Sequence, residues 1–274
     1  PGLVAAVCIG RIQCSRGGPR RRDECARWGY PALHGFGLIG YLFGMGLREL
    51  FAPAAVWGRD PSFFSVRIED PVSEGFLRAS SSVPPEVMTI RPLLGRDHLR
   101  IDSVRRANSA WLNPWDATLP EGAVEELPTL WEYMRRADRD QRQGHSLILM
   151  PEFDGEPVGQ FTLSQVQWGA MSQGILGYWV AQEAAHMGVA SLVVAYMMDL
   201  VIGELGLHRI EVNVRPENER SLGLCRKLGL REEGYRVRYM NIAGQWADHV
   251  SFAMDAESLP QGGMIASVYG QSLR

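Results

Sequence analysis

Between Val189 and Leu205 the apolar residues recur at helical spacing: Val189, Leu192, Val193, Tyr196, Met197, Leu200, Val201 and Leu205. That spacing draws one buried stripe down a helix, and Gly206 supplies its stop. Beyond it, Ile210, Val212 and Val214 alternate with Glu211, Asn213 and Arg215, the period of a strand with one apolar and one polar face. Glu211 and Asn213 therefore share a face. Ahead of the helix, Gly188 permits close backbone approach, and the helix start presents unpaired N–H groups and the positive end of its dipole, a setting suited to an anion such as pyrophosphate.

The same reading extends along the chain from Pro85. It predicts a first strand over 87–91, a helical stretch over 97–111 and a charge-rich helix over 125–142. Strands follow over 145–152 and 157–166, joined around Asp154-Gly155, then a further strand over 174–180. After Asn218 a helix over 221–228 ends at Gly229, and strands over 235–242 and 246–254 close a hairpin around Ala243-Gly244. The fold class expected is α/β, in the α+β sense of a mixed sheet, with an early hairpin and a β-α-β-α-β half that holds the ligand.

The order of motifs resembles the GNAT acyl-CoA N-acetyltransferases, and within them the RimJ/RimL-like branch that acetylates protein N-termini, including ribosomal-protein alanine N-acetyltransferases. The residues that carry the resemblance are Gly177-Tyr178-Trp179-Val180, Gly188-x-Ala190, Leu207 to Glu211, Arg215-Pro216-Glu217-Asn218, Ser221, Lys227 to Leu230 and Arg231 to Gly234. Leu112-Asn113-Pro114-Trp115 and Asp248-His249 extend it over residues 84 to 256. It implies a single catalytic domain of GNAT-like fold over 84–256, an N-terminal extension over 1–83 and a C-terminal tail over 257–274.

The resemblance also implies acetyl-CoA as acetyl donor, held by Trp179, Val180, Ala181, His186, Met187, Gly188, Val189, Ala190, Ser191, Asn218 and Ser221. The strand ending at Val180 is expected to splay from the next, with amides around Trp179 to Ala181 meeting the thioester oxygen. Glu211 is the candidate base, against a plain ion pair with Arg209 or Arg215. Ser191 is the candidate acid, against a helix cap, and Asn218 is read as both a cofactor contact and a cap. Four positions depart from the family: Ala185 and His186 stand where the phosphate loop opens with Gln or Arg and then Gly. Ile175 and Cys225 replace the carboxylate and tyrosine that many relatives use as base and acid.

Composition narrows the function classes. A net charge of −3 lacks the broad basic footprint that nucleic-acid backbones require, so no direct nucleic-acid partner is expected. Cys8, Cys14, Cys25 and Cys225 show no metal-ligand spacing and read as reduced thiols, consistent with a cytoplasmic, bacterial enzyme without a metal. The chain begins at Pro1, as a fragment, a processed product or an upstream-extended reading frame would. Residues 11–27 are basic and 36–47 form an uncharged run too short and Gly-rich for a firm membrane association. Gly35 to Gly40 matches the dinucleotide pattern G-x-G-x-x-G, with no βαβ context around it. Arg105, Arg106, Arg135 and Arg136 are read as a solvated face. The acceptor is expected to be a protein N-terminal amine, for example of a ribosomal protein. A small-molecule amine and a non-catalytic acyl-CoA-binding module are the alternatives.

Overall fold

The computed structural model describes residues 55–80, 84–124 and 127–273. The basic stretch 11–27, the uncharged run 36–47, the Gly35–Gly40 motif and Cys8, Cys14 and Cys25 lie outside the described residues.

The chain opens with β1 (Val66–Glu69) and β2 (Val87–Pro92), then α1 (Asp97–Ala107), the short α2 (Ser109–Leu112) and α3 (Leu130–Arg142). Next come β3 (Leu147–Phe153), the two-residue β4 (Glu156–Pro157), β5 (Gly159–Gln167) and β6 (Gln173–Val180). The helix α4 (Val189–Met198), β7 (Arg209–Val214), α5 (Glu219–Lys227), β8 (Arg231–Ile242), β9 (Gln245–Asp255) and α6 (Gly263–Tyr269) complete it. The strands form one sheet in the order β1-β2-β3-β5-β6-β7-β9-β8, with β4 on β3. β6 and β7 are parallel, and every other pairing is antiparallel. The mixed α/β sheet expected from the sequence is the architecture observed.

Helices cover both faces. α4 is apolar nearly all round and only Ala190 among its residues escapes full burial, as a helix sunk between sheet and outer helix requires. Its predicted stripe continues into a π turn over Asp199–Glu204 before Gly206 turns the chain at φ 77°. On the opposite face α1 and α3 pack Ile101 and Ala137 against Leu93, Ile148 and Met150. Gln141 locks α3 to this layer: its amide nitrogen donates to the Leu93 carbonyl at 2.9 Å, and its oxygen accepts from Ile148 N at 2.8 Å.

Three element boundaries differ from the sequence reading by more than two residues. The helix expected from 125 starts at Leu130, because Thr129 and Glu132 form a reciprocal capping box. The first helical stretch breaks at Asn108, whose side chain bonds the Val104 carbonyl and accepts from Gln182 N. β8 begins at Arg231, ahead of the expected Tyr235, because its outer residues are exposed on both faces and show no alternation.

Ordered elements also flank the span 84–256 on both sides. β1 pairs with β2 through Val66↔Ile90 and Ile68↔Met88, and Val56, Phe64, Val66, Ile68, Phe76 and Leu77 join the core that surrounds α4. Without β1 the outer edge of β2 would present unpaired backbone groups. At the other end α6 buries Met264 and Ile265, and the Asp199 carboxylate accepts from both of their amides, at 2.5 and 2.9 Å. Four-residue and seven-residue elements carry too little periodicity to be read from sequence.

Candidate active site

The parallel pairing of β6 and β7 stops early. It runs from Gln173↔Arg209 to Ile175↔Glu211. Beyond that point β6 stays paired with β5 as far as Val180↔Gly159, while β7 stays paired with β9 as far as Val214↔Val250. The two central strands therefore separate, and the backbone of β6 after Ile175 has no ladder partner on the β7 side. In a closed sheet these amides and carbonyls would be satisfied; here they line a cleft.

The lip of β6 is fixed from behind. Trp111 Nε1 donates to the Val180 carbonyl at 3.1 Å, and Ala181 N donates to the Val158 carbonyl at 2.8 Å. Ala181, expected to offer its amide to a ligand, is fully buried and already bonded. The same register turns the Trp179 amide toward Gln160 of β5 and leaves the Val180 amide on the cleft side.

The turn that follows leads into α4. Gly188 adopts φ 101° and His186 φ 64°, left-handed values that explain why glycine is common where His186 stands. The first backbone bond of α4 runs from Leu192 N to the Gly188 carbonyl, so the amides of Val189, Ala190 and Ser191 precede the helical ladder and face outward as an anion cradle. Met187 turns its side chain into the core and contributes only backbone. The residues present fit a pyrophosphate-bearing donor through backbone amides.

The remaining candidates fall on two sides of the sheet. Ser191 is buried in the first turn of α4, and its hydroxyl accepts from Lys227 Nζ at 2.9 Å. Asn218 caps α5 by accepting from Ser221 N at 3.2 Å, and the Ser221 hydroxyl meets Tyr178 Oη at 2.7 Å. Tyr178 stacks on Phe161 at 5.5 Å, and burial raises its hydroxyl well above the usual tyrosine range. Burial likewise pushes the Cys225 thiol up to about 12, which makes it an inert wall residue rather than a nucleophile.

Glu211 lies on the other side. Its register partner Ile175 shares a face with Trp179, so Glu211, Asn213, Ser251 and His249 line the same side of the sheet as α1 and α3. Arg209 holds one oxygen of Glu211 at 3.0 Å and Arg236 holds the other at 2.9 Å. Both carboxylate oxygens are engaged, the ion-pair arrangement rather than that of a free base.

Sequence reasoning missed three features on this face. His249 is buried and its ring sits edge-on to Tyr239; Nδ1 lies 3.1 Å from the Ala247 carbonyl, the geometry in which Nδ1 carries the proton and Nε2 keeps a lone pair. Desolvation lowers its pKa, so the ring is neutral at pH 7. Arg105, expected on a solvated face, pairs with Asp116 and lies 5.5 Å from the Trp179 ring. The Asn113–Thr118 segment is stitched to the β8–β9 hairpin: Thr118 N donates to the Asn241 carbonyl at 2.9 Å and Ala243 N to the Asp116 carbonyl at 3.0 Å. Arg215 also donates to the Pro114 carbonyl at 3.0 Å. Together these hold the Asn113–Thr118 segment against the β8–β9 hairpin and the residue that follows β7. Asp248-His249 and Leu112-Asn113-Pro114-Trp115, both part of the family resemblance, were the sequence signals for the first and third of these, and Arg105 had none.

Among the described residues no group of three His, Cys, Asp or Glu side chains is arranged to hold a metal, and no helix is long and apolar enough to cross a membrane.

Comparisons with known proteins agree with this geometry. The GNAT acetyltransferase domain model matches residues 88–231. The [ribosomal protein uS5]-alanine N-acetyltransferase of Escherichia coli (strain K12) is 28% identical over 170 residues, 61% of this chain and 87% of that relative. Mycobacterium smegmatis RimJ, solved in complex with CoA-disulfide, superposes with a TM-score of 0.58 at 36% identity, covering 64% of this chain and 85% of its own. A spermidine N-acetyltransferase from Vibrio cholerae, solved with CoA and spermine, shares the fold at 20% identity and a TM-score of 0.52, over 62% of this chain and 96% of its own. With the split β6–β7 pair, the glycine turn at the head of α4 and a family match over most of the sheet, the chain belongs to the GNAT acetyltransferase family and is an N-acetyltransferase.

Proposed function

We propose that this N-acetyltransferase moves acetyl from acetyl-CoA to the N-terminal α-amine of a protein, with ribosomal proteins as the acceptor class. The observation that carries the donor half is the end of β6–β7 pairing at Ile175↔Glu211 beside the free amides at the start of α4. The acceptor half is supported by the Escherichia coli relative, which acts on the alanine terminus of uS5 and aligns over 87% of its length.

In this reading the amine nitrogen attacks the thioester carbonyl, the C–S bond breaks and the amine proton goes to a base. The Val180 amide on the open lip steadies the developing oxyanion. His249 takes the proton at Nε2, since its imidazole is neutral at pH 7 and faces the groove side of the sheet. Glu211 holds Arg209 and Arg236 in place rather than acting as the base. The Tyr178–Ser221 hydroxyl pair, beside Cys225, hydrogen-bonds the departing sulfur. Ser191 belongs to the phosphate end, next to Lys227.

A thiol-release assay with acetyl-CoA tests this. Peptides with an N-terminal alanine are expected to be turned over, and spermidine is not. Turnover of spermidine alone would replace the acceptor by a small amine. CoA binding with no turnover of any acceptor would favour a non-catalytic module.

A further inference from the structure

The phosphate loop lacks a cation of its own: Ala185 opens it, and Met187 points into the core. The structure brings two from elsewhere. Arg78 lies on a segment that precedes the matched family region, and its backbone N donates to the Met187 carbonyl at 2.7 Å. The Phe76 carbonyl of the same segment lies 3.6 Å from where a Gly188 Cβ would sit, so residues 76–78 run directly against the turn. Lys227, at the end of α5, reaches the first turn of α4 and donates to Ser191 Oγ.

These cations are not neutralised. Among the described residues neither Arg78 nor Lys227 pairs with a carboxylate. Lys227 is held below its usual pKa first by desolvation and then by the positive charge of Arg78. The Tyr269 hydroxyl, which feels Arg78 as well, is shielded from solvent and within reach of the Ser191 hydroxyl that Lys227 contacts. Two like charges and the positive end of a ten-residue helix thus converge on one spot. The mutual repulsion of the two cations beside the helix start is unfavourable, and a dianion between them would turn it into attraction.

We propose that Arg78 and Lys227 form a side-chain clamp on the pyrophosphate of CoA, replacing the cation missing from the loop and making the segment before β2 part of the donor site. The proposal rests on the donor half of the proposed function. Both side chains are solvent-accessible, so Arg78→Ala and Lys227→Ala leave the core intact.

The test is calorimetric titration of CoA, dephospho-CoA and pantetheine into the wild-type protein and the two variants, with thermal melts as the control for folding. A charge-assisted contact to phosphate is worth about tenfold or more in Kd, so each substitution is expected to weaken CoA by about 10-fold and the pair by more. Dephospho-CoA, which keeps the pyrophosphate, is expected to suffer the same loss, and pantetheine none. Affinity retained by both variants would overturn the clamp while leaving the donor pocket standing. A loss seen with CoA and absent with dephospho-CoA would move the contact to the ribose phosphate and refute the pyrophosphate assignment. Failure of the wild type to bind CoA would remove the clamp and the donor pocket together.

Discussion

Replacing Gly159 by alanine strikes the lip of the cleft without touching any reacting group. Gly159 opens β5 and pairs with Val180; a Cβ built there would sit 2.6 Å from the Trp179 carbonyl oxygen and 3.2 Å from Val180 Cα. A carbon needs about 3.3–3.6 Å from such an oxygen, so β6 must shift by roughly 0.7 Å or more. Both opposing atoms are backbone, and the Val180 carbonyl is anchored by Trp111, so no flexible side chain absorbs the movement. Overpacking of this kind costs about 1–3 kcal/mol, or a fall in Tm of several degrees for a domain this size. The larger effect falls on catalysis, because a displacement near 1 Å of positioning groups lowers rates by up to about 100-fold. Gly177→Ala is the control for stability: its Cβ would meet nothing within 4 Å. Urea denaturation and kcat/KM, measured on both variants, should show a large loss of kcat/KM and a modest loss of stability for Gly159→Ala, and wild-type stability for Gly177→Ala. Wild-type kcat/KM in Gly159→Ala would refute the role given to the Trp179–Val180 lip.

Phe64 is fully buried in the core that surrounds α4, so Phe64→Ala should cost about 3–5 kcal/mol in urea denaturation; a loss under about 1 kcal/mol would show that the segment before β2 is detachable. His249 has a depressed pKa in the folded state, so the unfolded chain binds more protons and stability falls as pH drops below about 6.5. His249→Gln should flatten that slope and remove the acid limb of the kcat/KM profile, whereas Glu211→Gln should lower activity without moving the limb; the reverse result would assign the base to Glu211. Glu233 is held at about 2, first by its hydrogen bond from Arg209 and then by Arg231. Its contribution is present above the unfolded value of 4.5 and lost as pH falls toward 2, so Glu233→Gln should shallow the acid decline of the urea midpoint; an unchanged decline would show the ion pairs to be screened away.

The donor half was legible in the sequence because its determinants are local. The α4 stripe repeats with the helix period, Gly188 is required by a left-handed turn, and the strand after it alternates cleanly, so element type and buried face follow from neighbouring residues alone. Tertiary structure alone decided the rest, since partner identity depends on the register between distant segments. Strand pairing spends the Ala181 amide on Val158 and leaves the β6 lip open, and it brings Arg236 from β8 onto the Glu211 carboxylate. It also folds β1 and Arg78 against elements far along the chain, although their short span carries no period to announce them. The sequence by itself determined the glycine turn, the helix and the strand on which the proposed donor site is built. Which side chains complete that site was decided by packing, because charges and hydroxyls acquire roles only from what the fold places beside them.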